Sequence, residues 1–230
     1  MKIGVVILSR FSSNRLPGKA LMEINGKSIL QYIVERISQV VDADKIVIAT
    51  SLENSDDKIE QFAQRIGVNC FRGSLVNVAD RFFKAGKKKK WDYIIRINGD
   101  NIFLDVNILK DMITLAETGK YDFITNVKDR TFPKGMSIEI VKLSYFESLL
   151  LQINKEEKYK EHVTLYAYEY PSENNFYYMN SKLPEASGIQ MALDTKEDFE
   201  RTEKIIQQFN GDHFNYNLHE IYNIWKEIQK

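Results

Sequence analysis

The stretch Ser9–Leu30, SRFSSNRLPGKALMEINGKSIL, follows the apolar run Ile3-Gly4-Val5-Val6-Ile7-Leu8. That run reads as a buried strand over Lys2–Leu8, because nearly every side chain is apolar and β-branched residues dominate. The segment beyond it carries Arg10, Arg15 and Lys19 within ten residues, together with Pro17 and Gly18. In open α/β sheets, loops at the carboxyl ends of strands are where ligands bind. Such a loop can aim backbone N–H groups and cations at a phosphate chain. Arg10 and Arg15 suit paired donation to phosphate oxygens, and Lys19 supplies a point charge. A solvated loop with ordinary surface cations explains the same composition. The spacing G-x-x-x-x-G-K-[ST] is absent, which excludes a P-loop NTPase.

Outward from this loop, strand-like and helix-like patterns alternate. Helices are expected at Ser28–Val41, with Ser28 as cap, at Ser55–Ile66 ending on Gly67, at Leu75–Lys89 and at Asp105–Thr118. Strands are expected at Lys45–Thr50, Asn69–Phe71, Tyr93–Ile97 and Tyr121–Asn126. The rhythm implies an α/β domain with a mainly parallel sheet. After Asn126 it loosens. Strands are expected at Gly135–Val141 and Ile189–Leu193, and helices at Ser144–Ile153, across Asn154–His162, and in two terminal segments near Glu197–Phe209 and Leu218–Gln229. Tyr166–Tyr178 is aromatic-rich and broken by Pro171. The expected organisation is one domain of 230 residues with a regular half, 1–126, and a less regular half, 127–230.

Composition narrows the classes. Lys plus Arg equals Asp plus Glu, 32 of each, so net charge gives no sign of a nucleic-acid or membrane partner. The single cysteine, Cys70, can form neither an internal disulfide nor a thiolate metal site, which suits a reducing cytoplasm. No apolar run reaches transmembrane length, and Ile3–Leu8 is too short for a signal-peptide core. The run Lys87-Lys88-Lys89-Lys90 reads as a solvated helix end.

Two acidic turns complete the pattern. Asn98-Gly99-Asp100 follows Tyr93–Ile97, and Asp194 follows Ile189–Leu193. A carboxylate just beyond a strand is placed to hold Mg2+ through oxygen. The alternatives are a plain turn at Gly99-Asp100 and, for Asp194, an N-cap of the next helix. His162, His213 and His219 lack metal-ligand spacing, and no Ser-His-Asp order, HExxH or CxxC offers another chemistry.

The basic loop closely resembles the N-terminal signature of the CMP-Kdo synthetase (3-deoxy-manno-octulosonate cytidylyltransferase) family, approximately A-R-x-x-S-x-R-L-P-x-K-x-L. Arg10, Ser13, Arg15, Leu16, Pro17, Lys19 and Leu21 match it. FRGSLVNVADRF (Phe71–Phe82), RINGDNIFLD (Arg96–Asp105), EHVTLYAYEYP (Glu161–Pro171) and LDTKEDFE (Leu193–Glu200) are similar to later elements, most closely in the SpsF spore-coat polysaccharide subgroup. The prolines usual after G-D-x and in D-T-P-E-D are replaced here by Ile102-Phe103 and Lys196.

The resemblance implies a Rossmann-like α/β/α sandwich of the nucleotide-diphospho-sugar transferase type. It implies transfer of CMP from CTP to a sugar with pyrophosphate release, Mg2+ held by Asp100 and Asp194, and a homodimer. In that frame Arg10, Arg15 and Lys19 hold the triphosphate, with Ser12 and Ser13 as added donors. Gly73, Ser74 and Asn98 are candidates for the cytosine and ribose side, or serve only turns and caps. The second half is expected to hold the sugar and build the dimer. Glu139 and His162 are its candidate sugar ligands, although His162 also suits a helix end. Lys134 and Arg130 either meet a sugar carboxylate or belong to a surface loop. A glycosyltransferase using a finished nucleotide-sugar is a rival, disfavoured by the triphosphate loop and by Gly99-Asp100 standing in place of the D-x-D metal motif that such enzymes commonly use. A non-catalytic nucleotide-binding protein is another, disfavoured by Asp100, Asp194 and Lys19.

Overall fold

The computed structural model describes residues 1–13 and 15–229; Asn14, inside the basic loop, and Lys230 lie outside the described residues. The strands are β1 (Ile3–Leu8), β2 (Glu23–Ile24), β3 (Lys27–Ser28), β4 (Ile46–Ser51), β5 (Asn69–Gly73), β6 (Tyr93–Asn98), β7 (Phe123–Thr125), β8 (Glu139–Lys142) and β9 (Asn175–Tyr177). The α-helices are α1 (Ile29–Ile37), α2 (Asp57–Arg65), α3 (Val78–Lys89), α4 (Val106–Glu117), α5 (Leu143–Ile153), α6 (Glu157–Glu161), α7 (Leu165–Glu169), α8 (Lys196–Gln207) and α9 (Leu218–Ile228).

Seven strands form one sheet in the order β5-β4-β1-β6-β8-β7-β9. The pairs β5/β4, β4/β1, β1/β6 and β7/β9 are parallel, and β8 runs antiparallel to both β6 and β7. The short β2/β3 hairpin stands apart. Alternation along the strands feeds two apolar layers. Val5, Ile7, Ile46, Ile48, Tyr93, Ile95 and Ile97 face α1, α2, α4, α8 and α9. Val6, Leu8, Val47, Ala49 and Ile94 face α3, α5, α6 and α7. The result is an α/β/α sandwich.

Sheet order locates the site. The chain steps outward from β1 to β4 and β5, then returns to place β6 on the other flank of β1. The carboxyl ends of β1 and β6 therefore bound a topological switch point, where open α/β sheets hold their ligands. The Gly99 N–H donates to Leu8 O at 2.9 Å and ties those ends together.

Helix ends follow local chemistry. Ser28 caps α1 by accepting from the Gln31 N–H at 3.2 Å. Asp105 caps α4, and its second oxygen accepts from the Leu218 N–H at 2.7 Å, joining α4 to α9. Arg36 of α1 is fully buried. It donates to Leu104 O and Tyr216 O at 3.0 Å each and to His213 O at 2.5 Å. Burial pushes its pKa down to about 10, a fall limited by the charge of Asp105. The lysine run closes α3 at the surface, with Lys87 2.5 Å from Glu147.

Two expected strands differ from the structure. Ile189–Leu193 is not a strand; it meets the sheet region through a single parallel bridge, Lys134↔Gln190. Met191 and Leu193 are still buried, which explains the apolar pattern without a ladder. Gly135–Val141 is strand only from Glu139 onward. Before that, the Asn126 side chain replaces part of the ladder, accepting from the Ile138 N–H at 2.7 Å and donating to Met136 O at 2.8 Å.

Gly135 has φ +92°, and a Cβ there would stand 2.4 Å from the Ala192 backbone nitrogen. Gly135→Ala is therefore expected to cost about 2–4 kcal/mol, combining left-handed strain with a clash against backbone. It should also displace the segment leading to Asp194. Denaturant unfolding of the variant checks the cost.

Candidate active site

The basic loop is built before it is charged. Its first turn is anchored by the buried Asp56, whose Oδ1 accepts from the Phe11 N–H at 2.6 Å and whose Oδ2 accepts from the Ser51 N–H at 2.9 Å. Burial pushes the Asp56 carboxyl up, but hydrogen bonds from the Ser51 side chain and from the Phe11 and Ser51 N–H groups outweigh it and hold the pKa below the usual value. The Gly18 N–H closes the loop on Phe11 O at 2.9 Å. Gly18 takes φ +73° with the Phe11 ring against its α-carbon, and so turns the chain into the short 3-10 segment Lys19–Leu21.

That turn aims Lys19 inward. Its ammonium lies 3.2 Å from Asp100 Oδ2, 3.0 Å from Asp194 Oδ1 and 2.7 Å from Leu193 O. An ammonium has three donors, and all three are engaged. The Arg15 guanidinium lies 2.9 Å from the same Asp194 oxygen. The Leu193 N–H donates to Asp100 O at 3.3 Å. The two acidic turns, 94 positions apart in sequence by number (194 − 100), thus converge on one cation. Asp194 does not cap α8. Thr195 does, in a capping box with Asp198, whose Oδ2 also accepts from the Asp194 N–H at 3.1 Å.

These groups open onto a cleft of about 650 Å³. Arg10, Ser13, Arg15, Lys19, Asn98, Asp100, His162 and Asp194 all line it. Ser12, Gly73 and Ser74 are not among its lining residues. Ser12 is exposed on the loop, and Ser74 accepts from the Asn77 N–H at 3.0 Å in a turn. Their neighbours Leu75, Val76 and Val78 reach the cleft instead, with Arg81. Arg81 is buried and donates to Ser74 O at 2.7 Å. Burial lowers its pKa to about 10, Asp56 opposing that fall and Arg10 adding to it.

A second cavity of about 730 Å³ adjoins the first. Arg96, Asn98 and His162 line both. Glu139 and Arg130 line the second, whereas Lys134 is exposed outside its lining. Glu139 is buried on β8, and three protein side chains donate to its carboxylate. Arg96 pairs with one oxygen, and Thr164 and Tyr168 each donate to the other at 2.7 Å. Burial, and then the charge of Glu139, push the Tyr168 hydroxyl far up, so it stays a donor.

Arg96 is the residue that pattern reading overlooked. Its signal was present: β6 reads Tyr-Ile-Ile-Arg-Ile-Asn, and a strand covered on both faces normally has no place for a charge.

Among the described residues no cluster of three or more His, Cys, Asp or Glu side chains stands together. Asp100 and Asp194 nevertheless present a donor set that fits a hard divalent cation. Two carboxylate oxygens already share one positive centre, the Lys19 ammonium, and a phosphate chain in the cleft would complete the oxygen ligands.

The comparisons with known proteins agree with this geometry. The family model described as Cytidylyltransferase matches residues 4–224. The chain is 34% identical over 216 residues to the spore coat polysaccharide biosynthesis protein SpsF of Bacillus subtilis, covering 88% of this chain and 85% of that protein. It is 31% identical over 116 residues to a 3-deoxy-manno-octulosonate cytidylyltransferase of Psychrobacter, covering 48% of this chain and 41% of that protein. The solved structure of a cytidylyltransferase from Leptospira borgpetersenii superposes with a TM-score of 0.91 at 33% identity, covering 100% of this chain and 95% of that one. With the switch-point cleft, the cation loop and the paired carboxylates, these matches make the chain a nucleotidyltransferase that belongs to the cytidylyltransferase family.

Proposed function

We propose that the protein transfers CMP from CTP to a hydroxyl of an acidic sugar and releases pyrophosphate. The observation that carries this reading is the meeting of the cation loop with Asp100 and Asp194 in a cleft continuous with a second cavity. The first cavity takes the nucleotide. Arg10, Arg15 and Lys19 face its triphosphate, with Ser13 as a loop hydroxyl. Asn98 and the turn at Gly73-Ser74, through the adjoining Leu75 and Val76, border the nucleoside. The second cavity takes the sugar, with His162 at its entrance and Glu139 in its wall. Most of its lining comes from residues 127–230, and most of the cleft's from residues 1–126.

Asp100 and Asp194 would hold the divalent cation, of which Mg2+ suits all-oxygen ligation by few carboxylates plus phosphate. When bound, it supplies charge neutralisation at phosphate oxygens and acidifies the attacking hydroxyl. The chain's own contribution is positional and electrostatic: cations fixed around the leaving pyrophosphate offset its growing charge. Among the described residues no helix is long and apolar enough to cross a membrane; a cytoplasmic site of action on free CTP is part of the proposal. A homodimer is the proposed assembly.

The test is a pyrophosphate-release screen with CTP, ATP, GTP and UTP against acidic and neutral sugars. Release with CTP and an acidic sugar is expected. Calorimetry with Mg2+ present should also give CTP an affinity at least about tenfold above ATP and GTP, a difference of roughly 1.4 kcal/mol. Equal affinities would remove the base preference from the reading.

A further inference from the structure

Of the residues around the two cavities, Arg96, Asn98 and His162 border both. The cavities take different partners in the reading above, on which this inference rests. The atoms that react are the α-phosphorus of the nucleotide and a hydroxyl oxygen of the acceptor, and they can meet only at the junction. A residue that borders both cavities is therefore beside the reacting atoms.

Arg96 is the permanent cation of the three. β6 projects it to the side of the sheet where Ile94 packs, and the strand continues directly into Asn98-Gly99-Asp100. Its side chain is 18% exposed. One terminal nitrogen is committed to Glu139, which is itself held by Thr164 and Tyr168, while Tyr168 also hydrogen-bonds Thr125 at 2.6 Å. The Arg96 Nε is buried with no hydrogen-bond partner among the described residues. The second terminal nitrogen makes no hydrogen bond among the described residues and is not buried, so the guanidinium is braced on one edge by Glu139 and keeps a donor available on a side chain that lines both cavities. Four residues from β7, β8 and α7 and the turn before it serve to hold this one cation still.

We propose that Arg96 is a catalytic residue: it donates to a non-bridging oxygen of the α-phosphoryl group as charge builds there, with Glu139 as its positioning residue. In the step concerned, the acceptor oxygen forms a bond to the α-phosphorus. The bond from that phosphorus to the oxygen bridging to the β-phosphorus breaks, pyrophosphate leaves with the electron pair, and the acceptor's proton passes to solvent. A preoriented donor acts on such a centre without reorganising during the reaction.

The experiment is steady-state kinetics of pyrophosphate release, using CTP and 3-deoxy-manno-octulosonate or another sugar that turns over in the screen. Arg96→Gln should lower kcat by about a hundredfold and leave KM for CTP and for the sugar within about threefold, because the contact is made chiefly in the transition state. Arg96→Ala should regain part of the lost rate with added guanidinium, whereas a purely structural role would give no such rescue. Glu139→Gln, which keeps the Thr164 and Tyr168 contacts in shape, should lower kcat by about tenfold with the same flat KM values, since it loosens Arg96 without removing it.

Unchanged kcat in a folded Arg96→Gln would overturn the proposal. So would a rise confined to the sugar KM, which would make Arg96 an anchor for the acceptor's carboxylate. If no sugar supports turnover in the wild type, the proposal falls together with the transferase reading. Calorimetry separates the two failures: CTP binding with intact turnover in the variant removes Arg96 alone, and loss of both CTP binding and turnover in the wild type removes the function.

Discussion

Asp100→Asn and Asp194→Asn should each lower the rate of pyrophosphate formation by about a thousandfold, roughly 4 kcal/mol of barrier. Each substitution keeps the shape of the side chain and removes one of the two charges that meet at Lys19. A site that needs both carboxylates fails when either is neutralised. The double variant should therefore lose little beyond either single one, as expected for groups acting as a unit. Stability should move by no more than about 1 kcal/mol, since both side chains are partly solvated and each variant leaves Lys19 one charged partner. Isothermal titration with Mn2+ provides a reading independent of turnover, and each variant should show weakened binding. A nearly silent Asp194→Asn would return that residue to a capping role, although Thr195 already caps α8.

Lys19→Ala should have the next largest effect, a loss of about 500-fold in kcat/KM, or roughly 3.7 kcal/mol. Two losses combine. The cation proposed to face the triphosphate disappears, and Asp100 and Asp194 are left facing each other without the ammonium that neutralises them. The second loss is a folded-state effect, because the lysine side chain is only 15% exposed. Without divalent cation the variant should melt several degrees below the wild type, following a cost of about 1–2 kcal/mol. Millimolar Mg2+ should restore most of that difference, because it can occupy the position between the carboxylates. A wild-type rate, or a melting deficit that Mg2+ leaves unchanged, would count against this role.

Much of the architecture was legible because strand and helix periods differ and the apolar runs are clean. Ile3–Leu8 and Ile46–Ser51 are buried on both faces, and Ser28 and Gly67 bound their helices as expected, the first by its hydroxyl and the second by its left-handed backbone. The cleft lined by the loop cations and the two carboxylates was legible for a related reason. Its cations and carboxylates sit in loops at strand ends, where local spacing and sheet topology coincide. What escaped reading depends on non-local partners. Ile189–Leu193 has the apolar content of a strand, but it packs on the core beside Lys134 and Gly135 instead of joining a ladder. The start of β8 is delayed because the side chain of Asn126 satisfies backbone groups that a ladder would otherwise bind. Arg96 was visible as a charge in a strand, yet its value depends on Glu139, Thr164 and Tyr168, which no local window contains.

Arg36 has a consequence for modularity. From α1, near the start of the chain, it holds the carbonyls of His213 and Tyr216 near the end and that of Leu104 in the middle. A buried guanidinium deprived of these partners is strongly unfavourable, so α1 and the C-terminal helices depend on each other. The regions that line the two cavities are consequently not interchangeable cassettes. A chimera joining residues 1–126 to the latter half of a relative would have to recreate carbonyls at the right places for Arg36 before any new sugar pocket could form. If the second cavity takes the acceptor as proposed, changes of acceptor preference are more readily accommodated in the segment 127–130, which borders that cavity without touching the Arg36 clamp or the Tyr168 brace of Arg96.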